Sequence, residues 1–194
     1  MVSICVIEFV EACIWQTNPT VLGSSALCDA TNRLLTRVIF ANLAMQPLLV
    51  NIAAARLEPD RELFKATSIM AIVLAGCYML AYVLGEVGEV DVLPIAASGF
   101  LGMHATETCS FVGAHRHIHW LFKMSANFML PNGFAYVFMM LPPLAAKPRR
   151  LLAAPLGAYL AFYAVLFVSM GYSFEAGSVW CWSAIGMHVY ACLM

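Results

Sequence analysis

VLPIAASGFLGMHATETCSFVGA, residues 92–114, is the stretch on which the topology of this chain turns. It is apolar enough to cross a bilayer, yet it leaves only a few residues before the next apolar segment. Read as a re-entrant or interfacial helix, it keeps two basic loops on one side of the membrane. Read as a seventh span, it inverts everything after it. The first reading is favoured, because basic residues concentrate on the cytoplasmic side of membrane proteins.

Composition places the surroundings of this stretch in a membrane. Apolar residues make up 62% of the chain and charged residues 11%, with a mean hydropathy of +0.83. Soluble domains carry about 25% charged and about 45–50% apolar residues. A crossing needs about 20 apolar residues. Segments of roughly that length lie at 2–17, 33–56, 64–85, 118–144, 150–171 and 175–194. The expected fold is therefore an all-α polytopic membrane protein of six transmembrane helices, plus the re-entrant or seventh helix at 92–114. Pro19, Pro59, Pro94 and Pro148 fall in or beside the breaks, as helix punctuation should. No polar linker is long enough to divide 1–194 into more than one helical-bundle domain.

Arg56, Arg61 and Lys65 flank the loop between the second and third segments, and Lys147, Arg149 and Arg150 mark that between the fourth and fifth. Six spans put both loops in the cytoplasm, with both termini. Residues 1–15 have no basic leader, and Glu8 and Glu11 interrupt the apolar run. The segment thus reads as a retained helix rather than a signal peptide. Of the cysteines at 5, 13, 28, 77, 109, 181 and 192, none forms a CxxC pair. Cys28, Cys109 and Cys181 fall toward the non-cytoplasmic face, where one disulfide between two of them can form.

Polar residues inside apolar segments mark the candidate site, because ionisable groups in hydrocarbon normally face a bundle interior or a wet cavity. Glu8 and Glu11, three apart, share a helix face, and Arg37 is a natural ion-pair partner. The second segment adds Asn42 and Gln46 four residues apart, Pro47 and Asn51. These amides serve either as interhelical glue or as the lining of a wet path. Four-residue steps from His115 reach His119, Lys123 and Asn127, one stripe of the expected fourth helix. His117 then lies on the opposite face, and Glu175 opens the last segment. Segments three and five have no interior charge and read as lipid-facing or scaffold helices.

Two functions follow from these residues, beside a structural or partner-binding role in which they only specify packing. A channel or carrier for protons or cations needs polar continuity through the membrane. Glu8, Glu11, Arg37, Asn42, Gln46, His119, Lys123, Asn127 and Glu175 would supply it. The alternative is a membrane-embedded metal-dependent enzyme acting on lipid. His104, Glu107, His115 and His119 would then bind zinc or another transition metal, with Glu11 or Glu175 as general base. The HxxxH element with Ser98 and His104 resembles membrane-embedded zinc hydrolases of the ceramidase and progestin-receptor type. The resemblance covers one short region, and an intramembrane aspartate in the expected role is missing.

The sequence also excludes several classes. It has no P-loop, GxSxG, HExxH or dinucleotide fingerprint. The net charge of -1 and the lack of a basic tract give no case for nucleic acid. The expected partners are the lipid bilayer and further copies of the chain, since a small bundle can need oligomerisation to enclose a pore.

Overall fold

The computed structural model describes residues 2–21, 28–88, 107–123, 138–142 and 165. Three helices lie among them: α1 (Val2–Gln16), α2 (Ala30–Leu57) and α3 (Glu62–Val87). They match the first three expected segments to within a few residues. The helices α2 and α3 are long and apolar enough to cross a membrane. With 15 residues, α1 rises only about 22 Å, short of a hydrocarbon core of about 30 Å. Segments 150–171 and 175–194, and residues 124–137 and 143–144 of the fourth, lie outside the described residues, apart from residue 165, which is helical.

The chain forms two compact units, with α2 passing from the first into the second at Asn42–Leu43. In the first unit, α1 ends through a left-handed Asn18 (φ 51°) followed by Pro19. Asparagine tolerates this conformation just past a helix, and proline cannot continue one. Asp29 caps α2: its Oδ2 accepts from the backbone N–H of Thr31 (2.8 Å) and Asn32 (3.2 Å). These are the second and third helical positions, whose N–H groups have no intrahelical acceptor.

Residues 107–123 correct the all-helical expectation. The end of the 92–114 stretch and the start of the fourth segment form an antiparallel hairpin, β1 (Cys109–Val112) and β2 (Ile118–Leu121). Its register pairs Cys109 with Leu121, Ser110 with Trp120, Phe111 with His119 and Val112 with Ile118. The physical reason is a period of two. Ile118, Trp120 and Phe122 are buried, whereas His117, His119, Leu121 and Lys123 are half-exposed. Aromatic and β-branched residues in alternation suit a pleated strand. Gly113 opens the turn, where its N–H reaches the His117 carbonyl at 2.9 Å and the Arg116 N–H returns to the Gly113 carbonyl at 3.1 Å. Arg116 takes the left-handed conformation (φ 62°) that reversal requires.

In the second unit, a short turn joins α2 to α3. Phe64 is fully buried against Ala54 and Ala55, and the Arg61 guanidinium lies 5.1 Å from the Phe64 ring centre. Pro47 sits inside α2, where it removes one helical N–H. One turn later, Asn51 Nδ2 donates to the carbonyls of Pro47 (2.8 Å) and Met139 (2.7 Å). Asn51 thus ties α2 to the helical turn at 138–140, which is the interhelical-glue reading of that amide. Along α3 the buried residues include Thr67, Ala71, Ala75, Tyr78, Ala81, Tyr82 and Gly85, recurring at helical spacing.

Candidate functional site

The hairpin is fastened to a single stripe of α2 and its lead-in, at Cys28, Asn32, Thr36 and Phe40. Four-residue steps keep these positions in line along the helix. Cys28 is disulfide-bonded to Cys109, with the Cα atoms 6.1 Å apart, so two of the three cysteines expected near one face are paired. Asn32 Nδ2 donates to the Ser110 carbonyl at 2.9 Å, and Asn32 Oδ1 accepts from the Ser110 N–H at 2.9 Å. The side-chain amide thereby takes the place of a neighbouring strand. Thr36 Oγ1 lies 2.7 Å from Ser110 Oγ and donates or accepts there; it also approaches the Asn32 carbonyl at 2.8 Å. The Phe40 and Phe122 rings close the stripe, 5.1 Å apart and tilted by 60°.

Through these contacts the outer edge of β1 is covered. Ser110 is capped by Asn32, and the Val112 N–H donates to the Thr20 carbonyl at 2.9 Å, beside a parallel bridge between Val21 and Val112. An open strand edge would present unpaired backbone groups to other chains. Arg33 and Glu107 add an ion pair at 3.7 Å between partly exposed side chains, which contributes little. Sequence reasoning missed Asn32, Thr36 and Ser110. The signal was present as an Asn–Thr step of four beside the more conspicuous Arg33–Arg37 step.

The buried carboxylates lie on α1. Glu11 is 2% exposed and Glu8 is 8% exposed, on a buried face with Ile7, Val10 and Ile14. Neither carboxylate oxygen of Glu8 has a hydrogen-bond partner among the described residues. Burying a carboxylate charge without donors is expensive, so Glu8 is, among the described residues, the polar group that packing explains least. An open recess of about 530 Å³ is lined by Cys13, Gln16, Thr17, Asp29, Thr31 and Leu35. Cys13 is two residues from Glu11, about 200° around the helix, so this recess opens on the side of α1 away from the carboxylates. Two backbone N–H donors, from Asn32 and then Thr31, hold the Asp29 carboxyl below the usual carboxylate range.

The remaining sequence candidates scatter. Gln46 is buried, Asn42 half-buried and Arg37 exposed along α2. His115 stands exposed in the hairpin turn, His119 lies on β2 and Lys123 follows it. The helical stripe from His115 to Lys123 is therefore absent, because the backbone there is turn and strand. The HxxxH geometry falls with it: residues four apart are neighbours on a helix, whereas His115 lies in the turn and His119 on β2, and four residues along a strand span about 13 Å. Glu107 lies 3.7 Å from Arg33. His104, Asn127 and Glu175 lie outside the described residues. No group of three or more His, Cys, Asp or Glu side chains among the described residues could hold a metal ion.

Comparison with protein-family models, with curated proteins and with solved structures found no match to the chain.

Proposed function

We propose that this chain is a small integral membrane channel or carrier for protons or cations, with Glu8 and Glu11 as its ion-handling groups. One observation carries the reading: a nine-tenths buried Glu8 carboxylate with no hydrogen-bond partner among the described residues. Buried ionisable groups in membrane bundles are functional candidates by default. Two carboxylates three residues apart on one face can pass an ion between them. Buried Gln46 and half-buried Asn42 extend the polarity along α2. Arg37, His119, Lys123, Asn127 and Glu175 remain candidates for the rest of the path. No observation among the described residues favours the alternative of a metal-dependent enzyme, whose candidate ligand His104 lies outside them.

In the proposed topology, the α2 N-terminus and the disulfide-bonded hairpin face an oxidising, non-cytoplasmic compartment. The turn bearing Arg56, Arg61 and Lys65 faces the cytoplasm, and six spans return both termini there. The two signals lie at opposite ends of one helix, which supports this orientation.

The test is ion flux into liposomes containing the full chain, read with a pH-sensitive dye and with sodium- and potassium-sensitive dyes. Wild-type protein is expected to pass at least one ion above the leak of empty liposomes. E8Q and E11Q are each expected to reduce that flux severalfold. Wild-type flux at the empty-liposome level would overturn the proposal, as would full flux in the E8Q/E11Q double variant.

A further inference from the structure

The outward face of α3 is wider than any single helix could cover. Glu62, Leu63, Lys65, Ala66, Ile69, Met70, Ile72, Val73, Gly76, Met79, Leu80, Val83, Leu84 and Val87 are exposed. At 100° per residue they sweep an arc of roughly 200°. The large apolar members are heavily exposed, with Ile69 at 63% and Val73 at 60%. Beyond Phe64 at its first turn, the buried residues of the inward arc are small residues and two tyrosines, namely Thr67, Ala71, Ala75, Tyr78, Ala81, Tyr82 and Gly85. A water-soluble helix has the reverse arrangement, with its large aliphatic residues inside. Small residues on the packed side and bulky ones outside are what membrane helices show.

Length and width together identify what covers this face. Residues 66–85 carry no charged side chain, a stretch of about 30 Å at 1.5 Å per residue, which equals the hydrocarbon thickness of a bilayer. Lys65 and Glu86 bound it. A partner helix occupies a stripe of about 100°, half of the arc on offer. We infer that α3 is a boundary helix whose outward arc, from Ala66 to Leu84, is solvated by lipid acyl chains. The inference rests on the membrane part of the function proposed above and is independent of ion transport.

The experiment uses the unmodified full chain in phosphatidylcholine liposomes doped with a lipid carrying a photoactivatable group in its acyl chain. After illumination, adducts are mapped by mass spectrometry. They are expected on Ile69, Val73, Leu80 and Val83, severalfold more often than on Ala71, Ala75 and Tyr78. In parallel, hydroxyl-radical footprinting reads Met70 and Met79, which are exposed on the same arc; both are expected to stay unoxidised. Rapid oxidation of the two methionines without adducts would overturn the inference in favour of an aqueous surface. Neither oxidation nor adducts would overturn it in favour of a second copy packed on α3. Absence of ion flux in the same liposomes bears only on transport.

Discussion

The hairpin end of α2 and the length of α3 are held in opposite ways. At the hairpin, few contacts do the work and they are directional: one disulfide, a two-point amide contact and a hydroxyl pair. Beyond Phe64, the packed face of α3 is Thr67, Ala71, Ala75, Ala81 and Gly85 with two tyrosines, where stability comes from close approach rather than from any one bond. A strand laid on a helix leaves backbone groups that only specific partners can satisfy. A helix satisfies its own backbone and needs only a complementary surface. Substitutions should therefore act sharply at the first region and gradually at the second.

The disulfide offers the largest test. Cys28 and Cys109 are separated by 81 residues, and cross-links closing loops of that order contribute about 4–5 kcal/mol in the chain-entropy picture. The C28S/C109S double variant is expected to lose most of that in denaturant unfolding, and to become cleavable by protease at the Gly113–His117 turn. Unchanged midpoint and cleavage would mean that the amide and hydroxyl contacts alone hold the hairpin.

Asn32 comes next. Asn32→Ala strips the partner from both the N–H and the carbonyl of a fully buried Ser110. Each unsatisfied buried group costs about 1–3 kcal/mol. A loss of about 2–4 kcal/mol is expected from the pair together in denaturant unfolding. Asn32→Asp should do no better near neutrality, because its second carboxylate oxygen would face the Ser110 carbonyl in a buried site. If Asn32→Ala were as stable as the wild type, the amide would not be acting as a strand substitute.

How far these contacts were legible beforehand depends on which periodicity is being read. Apolar runs of helical length located α1, α2 and α3 because nothing competes with helix across such runs. The stretch from His115 to Lys123 misled because every four-residue step is also two steps of two. His115, His119 and Lys123 satisfy both periods, and His117 discriminates between them. It falls off the helical stripe but continues the alternation with His119, against buried Ile118, Trp120 and Phe122. The pairing of Asn32 with Ser110 was beyond reach, since a contact across 78 positions leaves no local trace. Burial of Glu8 and Glu11 was legible from their spacing within an apolar run.

The two faces of α3 should respond differently to substitution. Ala75→Leu inserts bulk where the side chain is buried, and overpacking costs about 1–3 kcal/mol. Leu80→Ala removes bulk from the outward arc, where the side chain is half exposed and, as proposed above, lipid fills the space. Unfolding in a bilayer should register the first and leave the second nearly unchanged. Equal losses would show that the outward arc is packed against protein.

The smallest effect belongs to Asp29, and it is distinguished by its pH dependence. The carboxylate is fully exposed, and backbone N–H donors from Asn32 and Thr31 hold its pKa below the unfolded value. A depressed carboxylate contributes stability that is fully present above its unfolded pKa and is lost as pH falls through the folded one. Acidification of the wild type should therefore shed the capping contribution in the acidic range below about pH 4, the unfolded value of aspartate. Asparagine caps helices about as well as aspartate but does not titrate. Asp29→Asn should consequently match the wild type near neutrality in thermal unfolding and be flatter toward acid. An identical acid slope in both proteins would assign that slope to other carboxyls. The cap on α2 would then rest on geometry alone, as the packed face of α3 does.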